Sequence, residues 1–82
     1  MTNIEICGIL SRNIGRDSYT KGLKDVDICV SIILGKSGVK DPGKQKRIEA
    51  LIYDNSSIDF YDCGVSEDLE ILAEEINKIL SE

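Results

Sequence analysis

The chain has no histidine and no tryptophan among its 82 residues, and it holds one proline and only four Phe or Tyr residues. The absence of histidine removes the commonest general base and a common metal ligand. No Ser or Cys lies beside a recognisable base, so nucleophilic catalysis has no support either. We therefore predict a protein that is not an enzyme and that binds no cofactor.

Long apolar runs are missing as well, since no stretch approaches the roughly 18–20 apolar residues that a transmembrane helix needs. Residues 1–10 lack the cationic start of a signal peptide and carry Glu5 inside their apolar run. The three cysteines, spaced 22 and 34 residues apart, do not describe a disulfide framework. These features predict a cytoplasmic protein with reduced thiols. A zinc site on the three thiols is a weaker alternative, because there is no Cys-x-x-Cys pair and no histidine to complete it.

Charge is divided unevenly along the chain. Residues 1–47 carry nine Lys or Arg against five Asp or Glu, a net of +4. Residues 48–82 carry one cation, Lys78, against ten acids, a net of −9. The formal total of −5 therefore hides a basic half and an acidic half, which indicates two surfaces with different electrostatic roles.

Alternating apolar residues predict strands over residues 3–10, 25–34, 46–54 and 58–62. The strongest of these is 25–34, where β-branched residues dominate. The last element is a helix: Ser66 can cap its N-terminus, and a stripe of apolar residues from Leu69 to Leu80 follows at helical spacing. Glu74 and Lys78 are placed to pair at i, i+4. We therefore predict a single α+β domain, 1–82, in which a small antiparallel sheet of about four strands packs one face against the C-terminal helix.

A basic, Gly-rich segment connects the second and third predicted strands. Its cations are Lys36, Lys40, Lys44, Lys46 and Arg47. We expect residues 35–44 to be a mobile hairpin loop. Three interpretations stay open: a solvated loop that keeps strand edges soluble, a contact with an acidic protein, and phosphate binding on nucleic acid. No aromatic residue interleaves with the cations, so base stacking is not supported.

The predicted sheet would carry an unusually apolar face on the side away from the helix. Its members are Ile9, Cys29, Ile33, Leu51, Tyr53 and Tyr61. Because an uncovered sheet face is normally polar, this face is predicted to be buried by a partner protein or by a second copy of the chain. Residues 11–24 could instead fold over it. In that case the partner surface is expected on the acidic C-terminal helix.

These observations favour a small cytosolic, non-enzymatic protein–protein interaction module. The thirteen isoleucines indicate an AT-rich coding background, as in a phage or a low-GC bacterium. Together with the small size and the lack of chemistry, this favours a regulator or inhibitor of phage or mobile-element type, or an immunity-like protein. The acidic half suits a partner with a basic functional site. The alternative is a nucleic-acid-binding module that uses the basic loop of residues 36–47.

Overall fold

The computed structural model describes residues 1–14, 25–61 and 63–82, and these residues form helices and connecting turns with no strand among them. Four helices lie in these ranges: α1 (Asn3–Asn13), α2 (Val26–Ser37), α3 (Pro42–Asp54) and α4 (Glu67–Ser81). The predicted α+β fold is therefore wrong. Of the segments predicted as strands, residues 3–10, 26–34 and 46–54 are helical. The segment 58–62 falls in the connection before α4, with residue 62 outside the described residues.

The segment α2 shows why the strand prediction failed. An alternating pattern would bury Ile28 and Ile32, yet Ile28 is exposed and Ile32 only partly buried. The residues that do reach the core recur at i, i+3, i+4, i+7 and i+8: Val26, Cys29, Val30, Ile33 and Leu34. That spacing lines one face of an α-helix. Tertiary burial of this face outweighs the strand preference of its β-branched side chains.

Local sequence signals fix where the helices begin. At the start of α1, Thr2 Oγ1 accepts a hydrogen bond from the backbone N–H of Glu5 (3.2 Å), and the Glu5 carboxylate accepts one from the backbone N–H of Thr2 (3.1 Å). This reciprocal capping box satisfies two otherwise free donors. Asp41 caps α3 by accepting from the N–H groups of Gly43 and Lys44, and Pro42 occupies the first helical turn. Proline suits this position because it has no N–H to leave unpaired.

The C-terminal helix was predicted correctly. Ser66 Oγ accepts a hydrogen bond from the backbone N–H of Leu69 (3.3 Å), which is the expected N-terminal cap. The predicted pair between Glu74 and Lys78 is present at 3.7 Å. The predicted stripe packs inward, with these residues buried: Leu69, Leu72, Ala73 and Ile76.

The helices form a closed ring in which α1 packs against α2 and α4, and α3 packs against the same two helices. Hydrogen bonds between distant residues show that α4 runs antiparallel to both of its neighbours. Asn77, near the end of α4, donates to the backbone carbonyl of Met1 (2.8 Å) beside the start of α1. Lys44, in the first turn of α3, donates to the carbonyl of Glu82 (2.5 Å) at the end of α4.

A hydrophobic core fills the space between the four helices, and no polar or charged residue is buried among the described ones. Phe60 is fully buried although it lies outside the helices, so it anchors the connection between α3 and α4 to this core. None of the helices in the described ranges has the length and apolar composition needed to cross a membrane.

Candidate functional site

An open groove of about 690 Å³ lies between α1 and α4, at the turn that precedes α4. We call it the α1–α4 groove. It is lined by Asn3, Ile4, Cys7, Cys63, Gly64, Glu67, Glu70, Ile71 and Glu74. Volumes of this order are typical of sites that take a small ligand or a few side chains of a partner.

Helical spacing places these side chains together. Along α4, the residues Glu67, Glu70, Ile71 and Glu74 recur every three or four positions, so they share one face. The buried stripe of α4 occupies another face of the same helix. On α1, Ile4 and Cys7 are three residues apart and point toward the same groove.

The groove exposes apolar surface. Ile4 is 79% exposed and Ile71 is 54% exposed, although both are aliphatic side chains on the surface of a small protein. A single exposed isoleucine is ordinary. Two that line one groove form a patch from which a partner could displace water.

Three carboxylate side chains border this apolar patch. Glu74 is paired with Lys78 at 3.7 Å, in a contact between exposed side chains that contributes little to stability. No cation forms an ion pair with Glu67 or Glu70 among the residues that the structure describes. Both lie in the first turn of α4, where the helix dipole favours negative charge. The groove therefore combines exposed aliphatic side chains with a negative rim.

Two thiols meet in the groove. Cys63 is exposed in the turn before α4, whereas Cys7 is buried on α1. Burial raises the pKa of the Cys7 thiol to about 12, and the proximity of the Cys63 thiol acts in the same direction. Both residues line the same groove, so the two thiols are neighbours in the fold.

The third thiol, Cys29, lies apart from this pair, in the hydrophobic core. Burial alone raises its pKa to about 12, and its Sγ atom lies 4.0 Å from the carbonyl oxygen of Ile9. Among the described residues, no group of three His, Cys, Asp or Glu side chains is placed to hold a metal ion.

The six residues predicted to form one apolar sheet face do not share a surface, and that part of the prediction is wrong because there is no sheet in the described ranges. Ile9, Cys29 and Ile33 are at most 1% exposed and belong to the core. Leu51 packs against the core while partly exposed. Tyr53 and Tyr61 are 55% and 44% exposed, so a binding role for these two stays a prediction. Of the segment 11–24 that was predicted as an alternative cover, residues 15–24 lie outside the described residues.

The predicted basic hairpin loop is also different in the structure. Lys36 lies in the last turn of α2 and Lys40 in the short connection that follows. The other three cations, Lys44, Lys46 and Arg47, are on α3. The segment 35–44 is thus two helix ends joined by a turn, because Asp41 and Pro42 begin a new helix.

Two of these five cations are engaged within the chain. Lys44 Nζ donates to the carbonyl oxygens of Leu80 (3.5 Å) and Glu82 (2.5 Å). Arg47 binds both carboxylate oxygens of Glu82, and this hydrogen bonding raises the pKa of Arg47 and lowers that of Glu82. The remaining cations, Lys36, Lys40 and Lys46, are exposed, and a binding role for them stays a prediction.

The groove was not predicted from the sequence, although one signal was available. Ile71 lies outside the apolar stripe of α4, on the face that carries Glu67, Glu70 and Glu74. An isoleucine among carboxylates is ordinary by itself, and it indicates a binding surface only together with a second exposed apolar residue such as Ile4. The contribution of α1 could not be found in this way, because α1 was predicted as a strand.

Comparison of the chain with protein-family models, with curated proteins and with solved structures finds no match. Function is therefore inferred from the chemistry of the groove: exposed aliphatic side chains, a negative rim and two neighbouring thiols.

Proposed function

We propose that the protein is a cytoplasmic, non-enzymatic interaction module that binds a cationic, amphipathic segment of another protein in the α1–α4 groove. One observation carries this proposal: exposed Ile4 and Ile71 line the same groove as Glu67, Glu70 and Glu74. A module of this kind acts as a regulator or inhibitor, because a basic segment that is bound in the groove is no longer accessible to the partner's other ligands.

The apolar patch supplies part of the binding free energy. Full burial of an isoleucine side chain is worth roughly 1.5–3 kcal/mol, and both isoleucines are already partly covered. The patch therefore contributes on the order of 2–4 kcal/mol before the entropic cost of association. An affinity in the micromolar range needs about 8 kcal/mol in total, so further contacts along α1 and α4 must add to the patch.

The negative rim selects the kind of partner. Carboxylates beside an apolar patch attract lysine and arginine side chains and repel anionic surfaces, which speeds association with a cationic segment. For the same reason the groove disfavours the phosphate backbone of nucleic acid. A helix with leucine-type residues on one face and lysines along its edges matches both properties of the groove.

Binding of a fluorescein-labelled synthetic amphipathic helix of Leu and Lys, followed by anisotropy, tests the proposal. The double variant Glu67→Lys with Glu70→Lys should bind at least about tenfold more weakly, a loss of about 1.4 kcal/mol. Asp68→Lys with Glu75→Lys is the matched control: it changes the net charge equally on the same helix but lies outside the groove lining. Equal loss in both variants would mean that only the overall charge matters, and the groove would not be the site.

The apolar part of the groove is tested separately. Ile71→Ser should weaken binding of the same peptide, whereas Ile28→Ser, on α2 and equally exposed, should not. A concentration-dependent dimer that Ile71→Ser dissociates would instead make a second copy of the chain the occupant. Binding of a labelled DNA duplex that is lost on Lys40→Glu with Lys46→Glu would favour the nucleic-acid alternative and contradict the proposal.

A further inference from the structure

The α1–α4 groove brings together two thiols, Cys7 and Cys63, that are far apart in sequence. One lies on α1 and the other in the turn before α4, and both line the α1–α4 groove. Both are free thiols. The helix packing that brings α1 against α4 creates this pair, and nothing in the spacing of the cysteines along the chain indicates it.

We infer that Cys7 and Cys63 form a redox-active dithiol, which a low-molecular-weight disulfide of the glutathione class converts into an intramolecular disulfide. This inference is independent of the proposed docking function, because it depends only on the two sulfur atoms and on the exposure of Cys63 to solvent. The overall reaction consumes two protein thiols and one disulfide, and it yields one protein disulfide and two small thiols. The protein is oxidised and the small disulfide is reduced.

Different exposure gives the two thiols different roles. Cys63 is exposed, so its thiolate meets the oxidant first and forms a mixed disulfide, releasing one small thiolate that takes up the proton lost by Cys63. Cys7 then loses its proton and attacks the Cys63 sulfur, expelling the second small thiolate, which takes up that proton. While Cys63 is reduced, the proximity of its thiol helps to raise the pKa of Cys7. Formation of the mixed disulfide removes this contribution and makes Cys7 easier to ionise.

Cys29 provides an internal control. It is completely buried on α2, and its Sγ atom lies 4.0 Å from the carbonyl oxygen of Ile9. The folded protein should therefore form the Cys7–Cys63 disulfide and leave Cys29 reduced. Oxidation of an unfolded chain would show no such preference.

The test treats the folded protein with glutathione disulfide, unfolds it in N-ethylmaleimide and records the intact mass and a peptide map. The expected product has lost the mass of two hydrogen atoms, carries one maleimide on Cys29 and contains a Cys7–Cys63 cross-linked peptide. Cys7→Ser should instead keep a stable mixed disulfide at Cys63, and Cys63→Ser should leave Cys7 unmodified. The cross-link closes a long loop, so the oxidised protein should melt about 10 °C or more above the reduced one.

Several results would overturn the inference. They are a lasting mixed disulfide on Cys63 in the unmutated protein, a disulfide that includes Cys29, or a dimer linked through Cys63. Failure of the amphipathic peptide to bind would leave the dithiol unaffected, so the two proposals can fail separately.

Discussion

Alanine substitutions at Gly35 and Gly38, three residues apart, should change stability in opposite directions. Gly35 lies inside α2, and a Cβ atom there would meet nothing within 4 Å. Alanine is a better helix former than glycine, so Gly35→Ala should stabilise the protein by about 0.5–1 kcal/mol. Gly38 ends the helix with φ 75° and ψ 12°, a left-handed conformation that costs a residue with a Cβ atom about 1–2 kcal/mol.

The neighbouring hydrogen bond supports this assignment, because the backbone N–H of Val39 donates to the carbonyl of Leu34 (3.2 Å), as in a Schellman motif. The two variants should thus differ by about 1.5–3 kcal/mol. Urea unfolding followed by far-UV circular dichroism measures this difference, and in a domain of this size each kcal/mol moves Tm by about 4–8 °C. Small effects of the same sign at both positions would indicate a mobile Gly-rich loop and would refute the helix end described here.

Three further changes probe other parts of the fold. Phe60→Ala should lower the free energy of unfolding by about 3–5 kcal/mol, because it empties the core site beneath the connection between α3 and α4. A loss below about 1 kcal/mol in chemical denaturation would contradict the burial of that ring. Ser66→Ala should lower the free energy of unfolding by about 1 kcal/mol, and Ser66→Gly by only a few tenths, since glycine is tolerated as a cap. Equal losses in the two variants would argue against the hydrogen bond from the N–H of Leu69 to Ser66. In alkaline solution the buried thiols should destabilise the fold. The pKa of Cys29 is raised from 9.0 to about 12, so the folded chain keeps a proton that the unfolded chain loses. The contribution of this thiol to the free energy of unfolding should be fully present below about pH 9. Between pH 9 and pH 12 it should fall by up to about 1.4 kcal/mol per pH unit. Denaturation with a reductant present should show a shallower fall in Cys29→Ala, and an unchanged slope would place Cys29 in contact with water.

The sequence was most informative where a single pattern applied. In α4 the Ser66 cap, the apolar stripe and the Glu74–Lys78 pair all indicate a helix, and no competing alternation is present. In α2 the apolar and β-branched residues are so dense that they satisfy periods of both two and 3.6. Because such a run fits either structure, only the packing of α2 against α1 and α3 decides between them.

Two start signals could have corrected the prediction. Thr2 followed by Glu5 matches a capping box, and Asp41 followed by Pro42 matches an N-cap with proline in the first turn. The groove was harder to foresee. It depends on α1 and α4 lying side by side, and a contact between residues so distant along the chain leaves no mark in local periodicity. The expectation of a partner surface on the acidic C-terminal helix, held as an alternative, remains a prediction and agrees with the position of the groove.

Amide chemical-shift mapping is the most direct test of the α1–α4 groove as a binding surface. The ¹⁵N-labelled, reduced protein is titrated with the amphipathic Leu and Lys peptide. The largest shifts are expected in residues 3–8 and 63–74, which contain the groove lining, with little change in α2 and α3. Shifts concentrated in residues 36–47 or around Tyr53, or no shifts at all, would contradict the proposed function.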